Sequence, residues 1–178
     1  MDINVFKIKV KREEAIKIAR GLRSTFMGLS NRKVSNVRIH YVEVKFITCN
    51  LTYKPNFIEK YLFKDNETKK QKILMIADGT TCESAIVSGK PDIVPIKNVE
   101  ENYVQFSSYS DELMISNCKK VASRVAFRNL GNFAKVDFEK IESCYRPYWL
   151  ILYGEEKKVK KVKCIPVCAD GCGSYRSF

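Results

Sequence analysis

The chain has 178 residues, with 32 Lys and Arg against 20 Asp and Glu, so its formal net charge is +12. Apolar residues make up 45% of it, which is enough to bury a core and too many for a disordered tail. No apolar run reaches the roughly 18–20 residues of a membrane helix, so we expect no membrane span.

The N-terminal part predicts a strand, a helix and a long strand region. Apolar residues alternate with lysines over Phe6–Val10, and then recur at helical spacing over Ala15–Phe26. The segment Val34–Tyr53 is rich in β-branched and aromatic residues. Its alternation changes phase at Tyr41-Val42, which predicts a bulge or a break into two strands.

The middle of the chain predicts a hairpin and a linker. Residues 72–77 and 81–87 are apolar strand candidates on either side of Asp78-Gly79, a dipeptide typical of tight turns because Gly accepts a positive φ angle. Residues 88–102 carry Gly89, Pro91 and Pro95, which favours a linker.

The C-terminal part predicts a second helix followed by strands. Ser110 is placed to cap a helix that ends near Gly131. Strand candidates cover 133–138, 148–153 and 162–169, and the last of these leads to a second turn dipeptide, Asp170-Gly171.

Two stretches match at a constant offset of 92 residues, and this match predicts a duplicated unit. Tyr53-Lys54-Pro55 recurs as Tyr145-Arg146-Pro147, and Ala77-Asp78-Gly79 recurs as Ala169-Asp170-Gly171. Further matching pairs are Phe57 with Trp149, Tyr61 with Tyr153, and Ile73 with Ile165. We therefore predict an α+β fold of two similar halves, residues 1–88 and 104–178 joined by a linker over 89–103. Each half is expected to be an antiparallel sheet with one helix packed on a face.

The predicted halves resemble the PepSY domain. Glu14-Ala15-Ile16-Lys17-Ile18-Ala19 is similar to the helix motif of that family, and Ile76-Ala77-Asp78-Gly79-Thr80 to its Asp-led turn. The Thr-Gly that follows this Asp in the family is absent from both turns. The resemblance implies a non-catalytic regulatory or binding module in tandem copies, sometimes linked to peptidase control.

Seven cysteines, an odd number, come without a recognisable secretion signal, which favours reduced thiols in a cytoplasmic protein. Cys168 and Cys172 flank the second Asp-Gly turn, and Cys144 is positioned to join them from a neighbouring strand. A zinc or thiol site built on these three residues is one interpretation. The other, which we prefer, is that they are small buried apolar side chains, so we expect no metal or cofactor.

The candidate binding surface contains the only tryptophan of the chain. It is the aromatic and cationic strip of Tyr145, Arg146, Tyr148 and Trp149, with Lys54 and Phe57 as its counterparts at the offset of 92. Aromatic residues and Arg dominate many binding interfaces. The alternative is that the strip is core, with Trp149 buried and Arg146 at the edge.

The remaining candidates for chemistry are isolated. His40 is the only histidine and lies in a strand region, while Asp78 and Asp170 sit in turns where Asp bonds to its own backbone. We therefore expect no catalytic constellation, and predict a non-catalytic protein that binds another macromolecule, with an unknown protein as partner. The alternatives are nucleic acid, attracted by the net charge of +9 over residues 1–70, and a thiol enzyme using Cys168 or Cys172.

Overall fold

The computed structural model of the chain describes residues 1–25, 33–55, 61, 67–131, 133–154 and 163–172. The described elements are the strands and helices β1 (Ile3–Phe6), α1 (Arg12–Thr25), β2 (Val34–Tyr53), β3 (Lys69–Asp78), β4 (Ser84–Val87), β5 (Ile93–Ile96), β6 (Val104–Gln105), α2 (Asp111–Leu130), β7 (Lys135–Tyr153) and β8 (Lys163–Cys168). A single 3-10 turn, Glu101–Tyr103, precedes β6. The fold is α+β, with a mixed sheet and two helices in the described part of the chain.

The chain divides into two compact units, and neither is a continuous segment. Unit 1 comprises 1–42, 91–105 and 145–178, and unit 2 comprises 43–90 and 106–144. The long strands β2 and β7 each contribute residues to both units. The phase change predicted at Tyr41-Val42 lies at this division. Residues 41–44 are buried in succession within one unbroken strand, so the chain does not break into two strands here, and the alternative of a bulge stays a prediction.

Unit 1 contains both parallel and antiparallel strand pairs. β1 pairs with β5 antiparallel and with β7 parallel, β8 pairs with β7 antiparallel, and β6 pairs with β2 parallel. The helix α1 packs through Ala15 and Ala19 against Ile151 and Tyr153 of β7 and Val167 of β8. Small alanine side chains let the helix backbone approach the strands closely.

Unit 2 is an antiparallel hairpin sheet covered by one helix. β3 pairs with β2 on one side and with β4 on the other. The inner face of α2, formed by Met114, Cys118, Ala122 and Ala126, packs on a cluster that includes Ile47 and Met75. Both ends of this helix agree with prediction. Ser110 Oγ accepts a hydrogen bond from Leu113 N (3.4 Å), and Gly131 ends the helix in the left-handed region with φ 63°.

The structure corrects two details of the predicted architecture. The sheet as a whole is mixed, because Val5 pairs with Tyr145 and Tyr41 with Val104 in parallel, and each of these pairs joins a residue of one predicted half to a residue of the other. Long connections allow such pairing, and a sequence pattern does not identify the partner of a short strand. The pairing of helix and strands also differs: α1 packs on β7 and β8, outside its own predicted half, and α2 packs on β2 and β3.

An offset of 92 residues cannot align both the Asp-Gly turns and the Tyr-x-Pro motifs of the two hairpins at once. Pro147 lies beside the second Asp-Gly turn, since its carbonyl oxygen accepts a hydrogen bond from Ala169 N (2.9 Å). Its sequence counterpart follows Tyr53, which lies opposite Lys69 at the other end of β3 from Asp78. The matching turns and the matching Tyr-x-Pro motifs therefore have different spatial relations in the two units.

The segment predicted as a linker is structured. Residues 89–103 contain β5, whose residues Ile93 and Ile96 pair with Phe6 and Ile3 of β1, and the 3-10 turn. The two compact units are spatial groupings, so the sequence boundaries 1–88 and 104–178 of an ancestral repeat stay a prediction. Neither described helix has the length and apolar content needed to cross a bilayer.

Candidate functional site

The second Asp-Gly turn, in unit 1, gathers the densest set of candidate side chains. It follows β8 directly, and Arg146 on the neighbouring β7 reaches its buried carboxylate. Arg146 Nε donates to Asp170 Oδ2 (2.7 Å), and Nη2 donates to Asp170 Oδ1 (3.4 Å) and to Cys172 O (3.3 Å). Asp170 Oδ1 also accepts from Cys172 N (2.8 Å) and from the Cys168 thiol (2.8 Å).

These contacts use most of the bonding capacity of Asp170. The carboxylate accepts three hydrogen bonds at Oδ1 and one at Oδ2, while its side chain is only 4% exposed. Burial alone would raise the pKa of Asp170, but the bonds from Arg146, Cys168 and the Cys172 amide hold it below its ordinary value. The carboxylate therefore stays ionised and acts as the acceptor that organises the turn.

The predicted aromatic strip lies partly inside unit 1. Tyr145 is buried in the cluster around Val5, and Tyr148 is buried with Leu150 and Cys168. Trp149 is half-buried, and its Nε1 donates to Val10 O (2.9 Å), next to the start of α1. The Arg146 guanidinium carbon lies 5.8 Å from the centre of the Tyr148 ring.

Only Trp149 and Arg146 of these four leave partial access from solvent, and the Arg146 side chain is 17% exposed. Both have contacts that stabilise the fold, and the use of the strip in binding stays a prediction. Of its two counterparts, Lys54 is exposed just after β2 in unit 2, and Phe57 lies outside the described residues.

The three candidate cysteines have different surroundings. Cys144 is buried in unit 2, whereas Cys168 is buried and Cys172 exposed in unit 1. Burial and the hydrogen bond to Asp170 raise the pKa of the Cys168 thiol to about 12, because both disfavour a thiolate. Within the described ranges, no three His, Cys, Asp or Glu side chains lie close enough together to hold a metal ion.

This arrangement predicts which thiols react. In the native protein near pH 7.5, iodoacetamide should label Cys172, which is exposed, well before Cys168, because alkylation requires an accessible thiolate. Peptide mass spectrometry over a time course measures the order, and the protein labelled in urea gives the reactivity of each thiol without burial. Faster labelling of Cys168 than of Cys172 would contradict the buried, protonated thiol and favour an activated nucleophile.

The first Asp-Gly turn, in unit 2, also has an Asp that bonds to its own turn. Asp78 Oδ1 accepts from Thr80 N (2.8 Å), from Thr80 Oγ1 (2.7 Å) and from Thr81 N (3.2 Å). The glycines differ: Gly171 has φ 78°, but Gly79 is not among the glycines with positive φ. A side chain is excluded at Gly79 by close packing, since a Cβ there would lie 2.5 Å from Glu43 O.

Sequence reasoning missed an ionic cluster next to this turn. Lys45 Nζ contacts Glu43 Oε1 (2.9 Å), Asp111 Oδ1 (3.3 Å) and Ser143 Oγ (2.8 Å). Glu43 Oε2 accepts a hydrogen bond from Ser107 N (2.9 Å). Burial opposes ionisation of Glu43, but its bonds to Lys45 and Ser107 lower its pKa. In the sequence, this cluster is indicated by the two-residue spacing of Glu43 and Lys45, which places both side chains on one face of a strand.

A second missed feature is the solvent face of α2, opposite its buried side. Lys120, Arg124 and Arg128 recur every four residues and are exposed, and Phe127 between them is 48% exposed. The ring of Phe127 lies 4.9 Å from that of Phe133, which is 79% exposed and follows the helix. In the sequence, this basic face is indicated by the absence of acidic residues after Glu112 in the helix.

No known protein-family model, curated protein or solved structure matches the chain. The resemblance to PepSY modules therefore stays a prediction, and the interpretation of each site depends on its own geometry.

Proposed function

We propose that this chain is a non-catalytic binding protein that acts through contact with another macromolecule. One observation supports this most directly. At the second Asp-Gly turn, Asp170 accepts hydrogen bonds from Arg146, Cys168 and the Cys172 amide, so the polar groups that could act on a substrate bond to one another. A hydrogen-bond network of this kind holds the turn rigid and therefore has a structural role.

A protein partner that contacts the aromatic strip is the first form of this proposal. The accessible part of Trp149 adjoins the start of α1, where the indole bonds to Val10 O, whereas Arg146 lies with Asp170 at the second Asp-Gly turn. A partially exposed Trp is the kind of anchor that interface hot spots use. The rigid hydrogen bonds of both side chains would lower the entropic cost of ordering them in a complex.

The test is capture of a partner from nuclease-treated native lysate by the Trp149→Phe variant. The change keeps most of the packing and removes the indole N–H, with a stability loss of about 1 kcal/mol. We expect recovery of a specific partner with wild type and a clear reduction with the variant. Tyr103→Phe, a conservative aromatic change elsewhere in unit 1, is the matched control. Equal capture by all three proteins would remove the strip from the proposal.

Polyanion binding is the second candidate function, and a separate observation favours it. The exposed cations of α2 make no ion pair with any acid in the described part of the chain, although the chain has 20 acidic residues. Positive charge without neutralising partners attracts polyanions, and the attraction falls with added salt. This surface is proposed as a location in addition to the basic residues of 1–70.

We also propose that the two predicted halves, residues 1–88 and 104–178, descend from a duplicated module, and that some of their equivalent positions are not separated by 92 residues. Val5 and Val104 both pair in parallel with a long strand, and Lys9 N and Ser108 N both donate to a carbonyl of an Asp-Gly turn region. These two pairs are each 99 residues apart in sequence. The PepSY-like helix and turn motifs support the same origin and a non-catalytic role.

A further inference from the structure

The exposed face of α2 combines regular positive charge with an accessible aromatic surface. We call Lys120, Arg124, Phe127 and Arg128 the α2 basic face. Residues four apart on a helix lie about 6 Å apart along its axis, so the three cations extend over roughly 12 Å. All four side chains point away from the buried residues Met114, Cys118, Ala122 and Ala126.

The charge of this face is available to a ligand. Among described residues, no Asp or Glu forms a salt bridge with its three cations, whereas Lys45, Lys72 and Lys90 of the same unit all pair with acids. The acidic residues of α2, Asp111 and Glu112, lie in its first turn, at the far end from Arg128. An electropositive surface therefore continues to the C-terminal end of the helix.

The aromatic part of the surface is a pair of rings. Phe127 and Phe133 lie 4.9 Å apart with 34° between their planes, and both are accessible. Large exposed apolar rings cost hydration free energy unless a ligand covers them. Aromatic rings next to cations are what proteins use to bind single-stranded nucleic acid, because bases stack on the rings while cations contact the phosphates.

We propose that the α2 basic face, together with Phe133, binds single-stranded nucleic acid without strong sequence preference. This proposal rests on the non-catalytic binding function argued above and names its partner class and surface. An anionic membrane fits less well. An interfacial helix inserts a broad apolar face into lipid, whereas the apolar face of α2 is already packed in the core of unit 2.

The experiment measures binding of a fluorescein-labelled oligo-dT of about 20 nucleotides by anisotropy, at about 50 and 200 mM salt. Wild type should bind, more weakly at the higher salt. Phe127→Ala should weaken binding about fivefold or more through loss of stacking. The double variant Arg124→Gln/Arg128→Gln should reduce the slope of log affinity against log salt by about 1.4, since each lost phosphate contact removes about 0.7.

The matched control is Arg12→Gln/Arg20→Gln, which removes two exposed arginines from α1 and changes the net charge equally. It should retain the wild-type slope. Thermal melts should show that all variants fold. An equal loss with the α1 control would overturn the assignment to α2 and indicate general charge attraction. An unchanged affinity for Phe127→Ala would overturn stacking, and therefore the single-strand preference.

Two further probes separate the remaining outcomes. Unlabelled duplex DNA of the same length should compete less well than unlabelled oligo-dT, and phosphatidylserine vesicles should not co-sediment the protein. No oligo-dT binding, or vesicle binding that depends on the same arginines, would overturn this inference. A specific protein partner captured from nuclease-treated lysate would still support the broader binding function, so the two proposals fail independently.

Discussion

Gly79→Ala is expected to destabilise unit 2 by about 2–4 kcal/mol, because a new Cβ would overlap backbone atoms that have no room to move. That Cβ would lie 2.5 Å from Glu43 O and 3.1 Å from Ser107 Cα. The same site carries a hydrogen bond from Gly79 N to Glu43 O (3.0 Å) and one from Ser108 N to Gly79 O (2.8 Å). Urea denaturation monitored by circular dichroism measures the change in the free energy of unfolding.

Gly89→Ala is the matched control for this prediction. A Cβ at Gly89 meets no atom within 4 Å, and Gly89 is not among the glycines with positive φ. We expect its free energy of unfolding to equal that of wild type or to exceed it slightly, because Ala has a smaller unfolded-state entropy than Gly. A similar loss in both variants would contradict the close approach of Glu43 and Ser107 to Gly79.

Arg146→Ala should cost about 3–5 kcal/mol, the range observed when one partner of a buried ion pair is removed. Asp170 would keep its bonds from Cys172 N and the Cys168 thiol, but it would lose its only cationic partner in the described part of the chain. Arg146→Ala/Asp170→Asn should recover part of this loss, since the uncompensated charge is gone. Lys7→Ala, which removes an exposed ion pair with Asp92, should change stability by less than about 1 kcal/mol.

The dependence of stability on pH in the acid range tests the ion pair of Arg146 and Asp170. The pKa of Asp170 is lower in the folded protein than in the unfolded chain, so its ionised form stabilises the fold above roughly pH 4. This contribution is lost as pH falls through the lowered folded-state pKa. Asp170→Asn should therefore be less stable than wild type near neutral pH, and the difference should shrink toward pH 2. A pH-independent difference between the two proteins would contradict the lowered pKa.

Local sequence signals predicted individual elements well where the physical cause is local. The second helix follows from the cap at Ser110, the stop at Gly131 and the spacing of its apolar residues, all of which the structure contains. The turn role of Asp78 also follows from local bonding. The α+β class results from these elements alone.

Long-range pairing was not accessible from the sequence. The motif match at an offset of 92 depends only on the order of residues along the chain. It does not show which residues pair across strands, such as Tyr53 with Lys69. Partner choice for a helix depends on which sheet face is free, and α1 covers strands far away in sequence. A pattern of apolar residues identifies that a face is buried, but not what buries it.

The contacts of the candidate binding residues could not be predicted from the sequence. The structure gives Arg146 and Trp149 each a partner, Asp170 and Val10 O, that the spacing of residues does not show. The cations of α2 were visible at helical spacing in the sequence. The inner face of that helix, with Met114 and Ala122, carries the stronger periodic signal.

The contact between α1 and the strands β7 and β8 has a consequence for synthesis in the cell. Val10 and Trp149, which share a hydrogen bond, are separated by 139 positions. At a translation rate of about 5–20 residues per second, the first helix leaves the ribosome roughly 7 to 28 seconds before its packing surface exists. The apolar face of α1 therefore stays uncovered through this interval, until the strands that carry Ile151, Tyr153 and Val167 have been made.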